Sequence, residues 1–195
     1  MRLGRDFYER PAPVVARALL GMWLVRRLPS GEVLHARVVE TEAYHGYEDS
    51  ASHARAGPNG RAAIMFGEAG HAYVYLIYGM YDMLNVSTDG VDFPAAVLIR
   101  GVEPAEGVET MRALRGTTLK NLTSGPGKLC RAMAIDRSLN GEDVVHSETL
   151  WFEYGEPIPD DEVARSPRIG VSYADPEYRK KPWRFFQKGN KWVSI

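Results

Sequence analysis

Cys130 is the only cysteine in this 195-residue chain, so no disulfide can close within it and no multi-cysteine zinc or iron–sulfur site can be assembled. A reducing compartment is expected. No apolar run approaches the roughly 18 residues that a bilayer span needs. The charged start, Met1-Arg2-Leu3-Gly4-Arg5-Asp6, lacks the apolar core of a secretion signal. Neither secretion nor a membrane partner is expected. Common catalytic signatures are missing too: there is no G-x-S-x-G, no H-E-x-x-H and no zinc-type Cys/His pairing. Ser124-Gly125-Pro126-Gly127-Lys128-Leu129 imitates a phosphate loop, but its leading glycine is absent and Leu129 stands where Ser or Thr belongs. Nucleotide hydrolysis there is rejected. With no repeat, low-complexity tract or long linker, one domain over residues 1–195 is the simplest organisation, and 45% hydrophobic content gives it a sizeable core.

Net charge is also small, at −1, which taken alone argues against a polyanionic partner. The charge is segregated, however. Residues 41–110 sum to −7 and residues 138–177 to −8, whereas residues 111–137 sum to +5 and residues 178–195 to +6. A cancelled total can conceal two basic surfaces, because local fields guide partners and the total does not. Blocks that cancel in space after folding are the bland alternative. The basic reading places residues 111–137 and 178–195 on one face with the acidic 138–177 turned away. It makes Lys128, Arg179, Lys180, Lys181 and Lys188 candidate phosphate contacts.

Proline near its start and glycine past its end mark a short helix over residues 13–20. Extended segments at 22–28 and 33–44 flank the turn Pro29-Ser30-Gly31. Residues 45–63 read as a long surface loop, and loops of that length are usually functional. Residues 72–78 alternate, and Gly79-Met80 permits reversal into 81–88, a hairpin with Tyr78 and Tyr81 beside its tip. A strand over 95–102 precedes a helix opened by Pro104 and ended by Gly116. Ser124 is expected to cap a second helix over about 126–134, with Leu129, Cys130 and Met133 inward. Residues 150–154, 168–172 and 183–187 read as strands. The fold class is therefore α+β, a single mixed domain whose curved, largely antiparallel sheet is flanked by helices and carries a protruding β-hairpin.

The densest chemical signal is Val39-Glu40-Thr41-Glu42-Ala43-Tyr44, where alternation puts Glu40, Glu42 and Tyr44 on one side of a strand. A carboxylate at a strand end beside a long loop is placed to take a proton from water while ionised. His45, His53 and His71 lie nearby in sequence, each more often a satisfied polar residue than a catalyst. Tyr73, Tyr75, Tyr78 and Tyr81 fall within nine residues, and a strand tyrosine is most often a half-buried sheet residue. An aromatic at a hairpin tip is also how some proteins unstack a base pair. Arg100, closing the apolar run 95–99, implies a nearby anion, and a Glu42–Arg100 pairing satisfies both. A hydrolase of small nucleosides and a non-catalytic reader of distorted nucleic acid remain as alternatives. The first leaves the tip aromatic without a purpose, and the second does the same for Glu42.

Together these segments resemble the alkyladenine (3-methyladenine) DNA glycosylase family, the monofunctional base-excision enzymes without a helix-hairpin-helix. The resemblance runs over nearly the whole chain. It is most specific in Val39-Glu40-Thr41-Glu42-Ala43-Tyr44, Tyr73-Val74-Tyr75-Leu76-Ile77-Tyr78-Gly79-Met80-Tyr81 and Ser124-Gly125-Pro126-Gly127-Lys128-Leu129-Cys130, then in Arg168-Ile169-Gly170-Val171 and Lys181-Pro182-Trp183-Arg184-Phe185. It implies that Glu42 is the general base, holding the attacking water with Arg100 and the backbone carbonyl of Ile169. Tyr44, His53 and Tyr75 would enclose the flipped base, and Asn85 would form a pocket floor that disfavours guanine. Tyr78 would enter the minor groove, supported by Met80 and Tyr81, with Lys128 on the backbone. No cofactor or metal is implied. The implied partner is damaged double-stranded DNA, bound by a monomer in the cytoplasm of a bacterium, at the nucleoid. The implied reaction releases alkylated or deaminated purines by hydrolysis alone and leaves an abasic site.

Overall fold

A computed structural model describes residues 1–116 and 120–194 of the chain. Two short helices, α1 (Arg5–Tyr8) and α2 (Ala12–Ala18), lead into strands β1 (Trp23–Arg27) and β2 (Val33–His45). The hairpin β3 (Ala72–Ile77) and β4 (Tyr81–Ser87) follows, then β5 (Ala95–Glu106), α3 (Val108–Arg115) and α4 (Pro126–Ala132). The chain closes with β6 (Leu150–Glu153), β7 (Val163–Ser166), α5 (Pro176–Lys180) and β8 (Arg184–Gln187). Among the described residues all eight strands join one open sheet in the order β3-β4-β5-β2-β1-β6, with β8 also on β2 and β7 on β8. Every pairing is antiparallel, so the architecture is α+β, as expected.

β2 organises the sheet. Its first half pairs with β1 and its second half with β8, while β5 runs along the other edge. The β2–β5 register shifts on both sides of Glu40, a bulge of the kind that re-aims side chains. Alternation still holds locally: Thr41 turns to α2 and donates its hydroxyl to the Ala16 carbonyl at 2.8 Å, while Glu40 and Glu42 point to the opposite face. Apolar residues of α2, β2, β5 and α4 make the main core, among them Leu19, Val38, Ile99 and Leu129. Burying such side chains contributes roughly 1.5–3 kcal/mol each, enough to hold charged neighbours in place.

At the hairpin tip Tyr78 and Gly79 both have left-handed backbone, with φ of 53° and 70°, so the reversal sits one residue earlier than Gly79-Met80 suggested. Tyr78 is 81% exposed and Met80 67%. Three local expectations are corrected. Pro104 lies inside β5 paired with Ala36, and the helix starts only after Gly107. Proline is tolerated there because β4 pairs with β5 only from Ala96 to Leu98, short of Pro104. Ser124 does not cap α4, which follows Gly125, although Leu129, Cys130 and Met133 are buried as expected. Residues 168–172 form a bend rather than a strand, with Gly170 at φ 76°. No helix among the described residues is long and apolar enough to cross a membrane.

Candidate active site

Glu42 is fully buried, and three groups converge on its carboxylate. The Ile169 amide donates to Oε1 at 2.7 Å, the Tyr44 hydroxyl donates to Oε2 at 2.9 Å, and Arg100 Nη1 lies 3.5 Å from Oε2. Burial pushes the Glu42 carboxyl above its ordinary value, and Arg100, the Ile169 amide and the Tyr44 hydroxyl pull it partly back. Burial alone would also weaken the charge of Arg100. Glu42 and Glu40 outweigh that effect and leave its guanidinium more firmly protonated than usual.

Arg100 is fixed from behind by Glu40, a second fully buried carboxylate. Glu40 Oε1 accepts from Arg100 Nε at 3.0 Å, Arg184 Nε at 2.7 Å and Ser194 Oγ at 2.8 Å, and its Oε2 accepts the Ser194 amide at 2.6 Å. The sheet thereby presents one carboxylate to the site and uses the other as an anchor. The bend carrying Ile169 is held by Arg168, whose guanidinium grips Asp49 with two hydrogen bonds of 2.6 and 2.8 Å. Arg168 also donates to the Ala43 carbonyl at 2.9 Å, and its guanidinium lies 4.7 Å from the centre of the Tyr44 ring. Neither Glu40 as an anchor nor the Arg168–Asp49 pair was found in the sequence, because long-range pairing leaves no local pattern.

In front of Glu42 opens a cleft of about 700 Å³. Tyr44, His53, Tyr75, Tyr78, Arg100 and Ile169 all line it, so six of the expected site residues share one cleft. Glu42 lies directly behind Tyr44, Arg100 and Ile169. A much smaller recess of about 30 Å³ continues inward past Tyr73 to Asn85. The His53 and Tyr75 rings meet edge-on with centroids 4.6 Å apart. Asn85 is buried there and donates its amide to the Tyr73 carbonyl at 3.0 Å.

His53 is bracketed by hydrogen-bond partners, with Nδ1 3.0 Å from the Tyr73 hydroxyl and Nε2 3.3 Å from Arg61. Arginine can only donate, so Nε2 accepts and the ring proton sits on Nδ1. Burial, aided by Arg61, brings His53 down to about 4, so the ring is neutral near pH 7. The other two histidines near the site in sequence lie elsewhere: His45 packs between Phe93 and Trp183, and His71 contacts the Glu68 carbonyl. Tyr81 packs against Gly127 of α4, which ties the hairpin beside its tip to the helix that carries Lys128. Lys128 itself is half-buried along Gly125 and off the cleft wall, which α4 reaches through Pro126.

The expected segregation of charge fails for the last block. β7 and β8 pair, so Lys188 donates to the Asp161 carbonyl at 2.6 Å and Gln187 contacts Glu162, beside the acidic stretch that was expected to face away. The acidic block also supplies Ile169, Gly170, Val171, Ser172 and Tyr173 to the cleft wall. By contrast, Arg131 and Arg137 of the 111–137 block lie beside the hairpin, where Arg137 is 3.3 Å from Asp82 and Arg131 shares a groove with Met80 and Tyr81. Among the described residues no group of three or more His, Cys, Asp or Glu is placed to hold a metal ion.

One buried carboxylate, Glu42, thus lies behind an aromatic cleft, next to a projecting aromatic hairpin on an antiparallel sheet. Comparison with known proteins defines the family. The family described as methylpurine-DNA glycosylase matches residues 6–191, and the chain belongs to that family. The DNA-3-methyladenine glycosylase of Homo sapiens is 46% identical over 208 residues, covering 100% of this chain and 68% of that protein. The enzyme of the same name from Mus musculus is 47% identical over 210 residues, covering 100% of this chain and 61% of its own. A protein of Methanocella arvoryzae with the provisional name of a 3-methyladenine DNA glycosylase is 53% identical over 194 residues, 98% of this chain and 95% of its own.

Proposed function

We propose that this chain removes alkylated purines, and deaminated ones more slowly, from double-stranded DNA by hydrolysing the N-glycosidic bond with a water activated by Glu42. The observation that carries this reading is the convergence of Tyr44, Arg100 and the Ile169 amide on Glu42 behind the aromatic cleft.

Alkylation at N3 or N7 leaves the purine cationic, so its bond to C1′ is already weakened. The base can then leave with the bonding electron pair and become neutral. Glu42 takes a proton from water, whose oxygen bonds to C1′, and the carboxylate's charge stabilises the oxocarbenium-like sugar. The two-carboxylate scheme of glycosidases adds a general acid that a cationic leaving group does not require. No lysine lines the cleft among the described residues, which favours hydrolysis over Schiff-base strand cleavage. Arg100, and the Ile169 carbonyl beside the amide already used, are the groups assigned to hold the water.

Tyr44, His53 and Tyr75 are assigned to the extruded base. A cationic purine against two tyrosines gains about 0.5–2 kcal/mol of cation–π attraction, too little alone for selectivity. Asn85 at the deep end is assigned to exclude guanine, and easier extrusion of a damaged base supplies the remainder. Tyr78 is assigned to the vacated space in the duplex, backed by Met80 and Tyr81. The test uses duplexes that carry one 7-methylguanine, 3-methyladenine or hypoxanthine. Abasic sites that break only on alkaline treatment are expected, fastest for the cationic bases. Intact duplex after all three would refute the proposal.

A further inference from the structure

Residues 41–110 form one of the two strongly acidic stretches of the chain, and their only basic residues are Arg55, Arg61 and Arg100. All three line the cleft. Arg100 is accounted for by Glu40 and Glu42, but Arg55 and Arg61 are exposed. Among the described residues their side chains reach only the Ser50 carbonyl, at 3.4 Å from Arg55, and His53 Nε2, at 3.3 Å from Arg61. Two guanidinium groups without a carboxylate partner, in a segment rich in carboxylates, mark a place kept for an outside anion. Arg61 lies 5.6 Å from the centre of the Tyr75 ring, on the wall assigned to the extruded base. The anions nearest to an extruded base are the phosphodiesters of its own nucleotide.

We infer that Arg55 and Arg61 grip the phosphodiesters flanking the extruded nucleotide, on the loop wall of the cleft. This rests on the glycosylase reading above and adds two backbone contacts to the one assigned to Lys128. The Arg61 bond to His53 links the two tasks. The guanidinium that meets the phosphate also fixes the His53 tautomer, which leaves the Tyr73 hydroxyl as acceptor from Nδ1.

The test is equilibrium binding of the full chain and an Arg55→Gln/Arg61→Gln variant to a duplex with one tetrahydrofuran abasic analogue, which cannot be hydrolysed. A slope of about 0.9 per phosphate contact makes a rise from 50 to 200 mM salt cost about 3.5-fold per contact. The double variant is expected to lose about 12-fold less affinity over that range than the unaltered chain. Neutral methylphosphonate linkages on either side of the analogue are expected to weaken the unaltered chain and leave the variant unaffected, and Arg55→Lys/Arg61→Lys restores both effects. Equal salt slopes and equal methylphosphonate effects in variant and unaltered chain would overturn the inference. If the unaltered chain excises no damaged base from the same preparation, the glycosylase reading fails instead, and the two failures are distinguishable.

Discussion

The backbone amide of Ile169 donates to Glu42 Oε1 at 2.7 Å, joining residues 127 apart in sequence. Ile169 was expected to act through its carbonyl. The contact with Glu42 is made by its amide, which the sequence did not suggest, and the carbonyl remains assigned to the water. Because Arg168 and Asp49 hold that bend, the geometry at Glu42 depends on an ion pair that never touches it.

Breaking that pair should therefore affect both stability and rate. Both side chains are fully buried. Asp49→Asn leaves the Arg168 charge uncompensated and is expected to cost about 3–5 kcal/mol in denaturant unfolding. At a temperature where the variant is folded, excision should also slow as the Ile169 bend loosens. A loss under 1 kcal/mol with normal excision would show that the bend is held by other contacts.

Glu42 must be ionised to accept a proton, and its folded pKa is raised, chiefly by burial. Activity is therefore retained above that value and lost as pH falls through it, with the acid limb above the ordinary value of 4.5. Arg100→Gln removes the largest counterweight and should move the limb further toward neutral pH, whereas Arg100→Lys should move it less. Single-turnover rates against pH measure the midpoint. An acid limb that stays in place in Arg100→Gln would separate Glu42 from the titration.

At the hairpin tip Tyr78 is 81% exposed, so Tyr78→Ser should leave unfolding unchanged. If the ring stacks in the duplex, lesion-DNA affinity should fall by about 5- to 150-fold, as expected for about 1–3 kcal/mol per stacked base. Fluorescence anisotropy with a lesion duplex reads this directly. Equal affinity would remove the ring from the DNA.

Much of the site was legible because strand periodicity is strong. Glu40, Glu42 and Tyr44 on one face of β2, and the tyrosines of β3, follow from alternation alone. Arg100 was legible as a cation that ends an apolar run. Residues 168–172 misled because Ile169 and Val171 favour strands, yet Arg168 turns inward to Asp49 and Gly170 takes left-handed backbone. β7 was missed because Val163-Ala164-Arg165-Ser166 has no alternating apolar face, and its pairing with β8 is what brings Lys188 against Asp161. Charge along the chain does not report which strands become neighbours, so the C-terminal block was misread.

The most direct measurement is single-turnover release of free base from a duplex with one 7-methylguanine, comparing the unaltered chain with Glu42→Gln. Glutamine keeps the size of the side chain and, through its carbonyl oxygen, an acceptor for the Ile169 amide or the Tyr44 hydroxyl, but it cannot take a proton. Excision is expected to fall by about 10²–10⁴-fold, the usual contribution of a general base, while lesion-duplex affinity is retained. Excision at the unaltered rate in Glu42→Gln would contradict the assignment of Glu42 as the base.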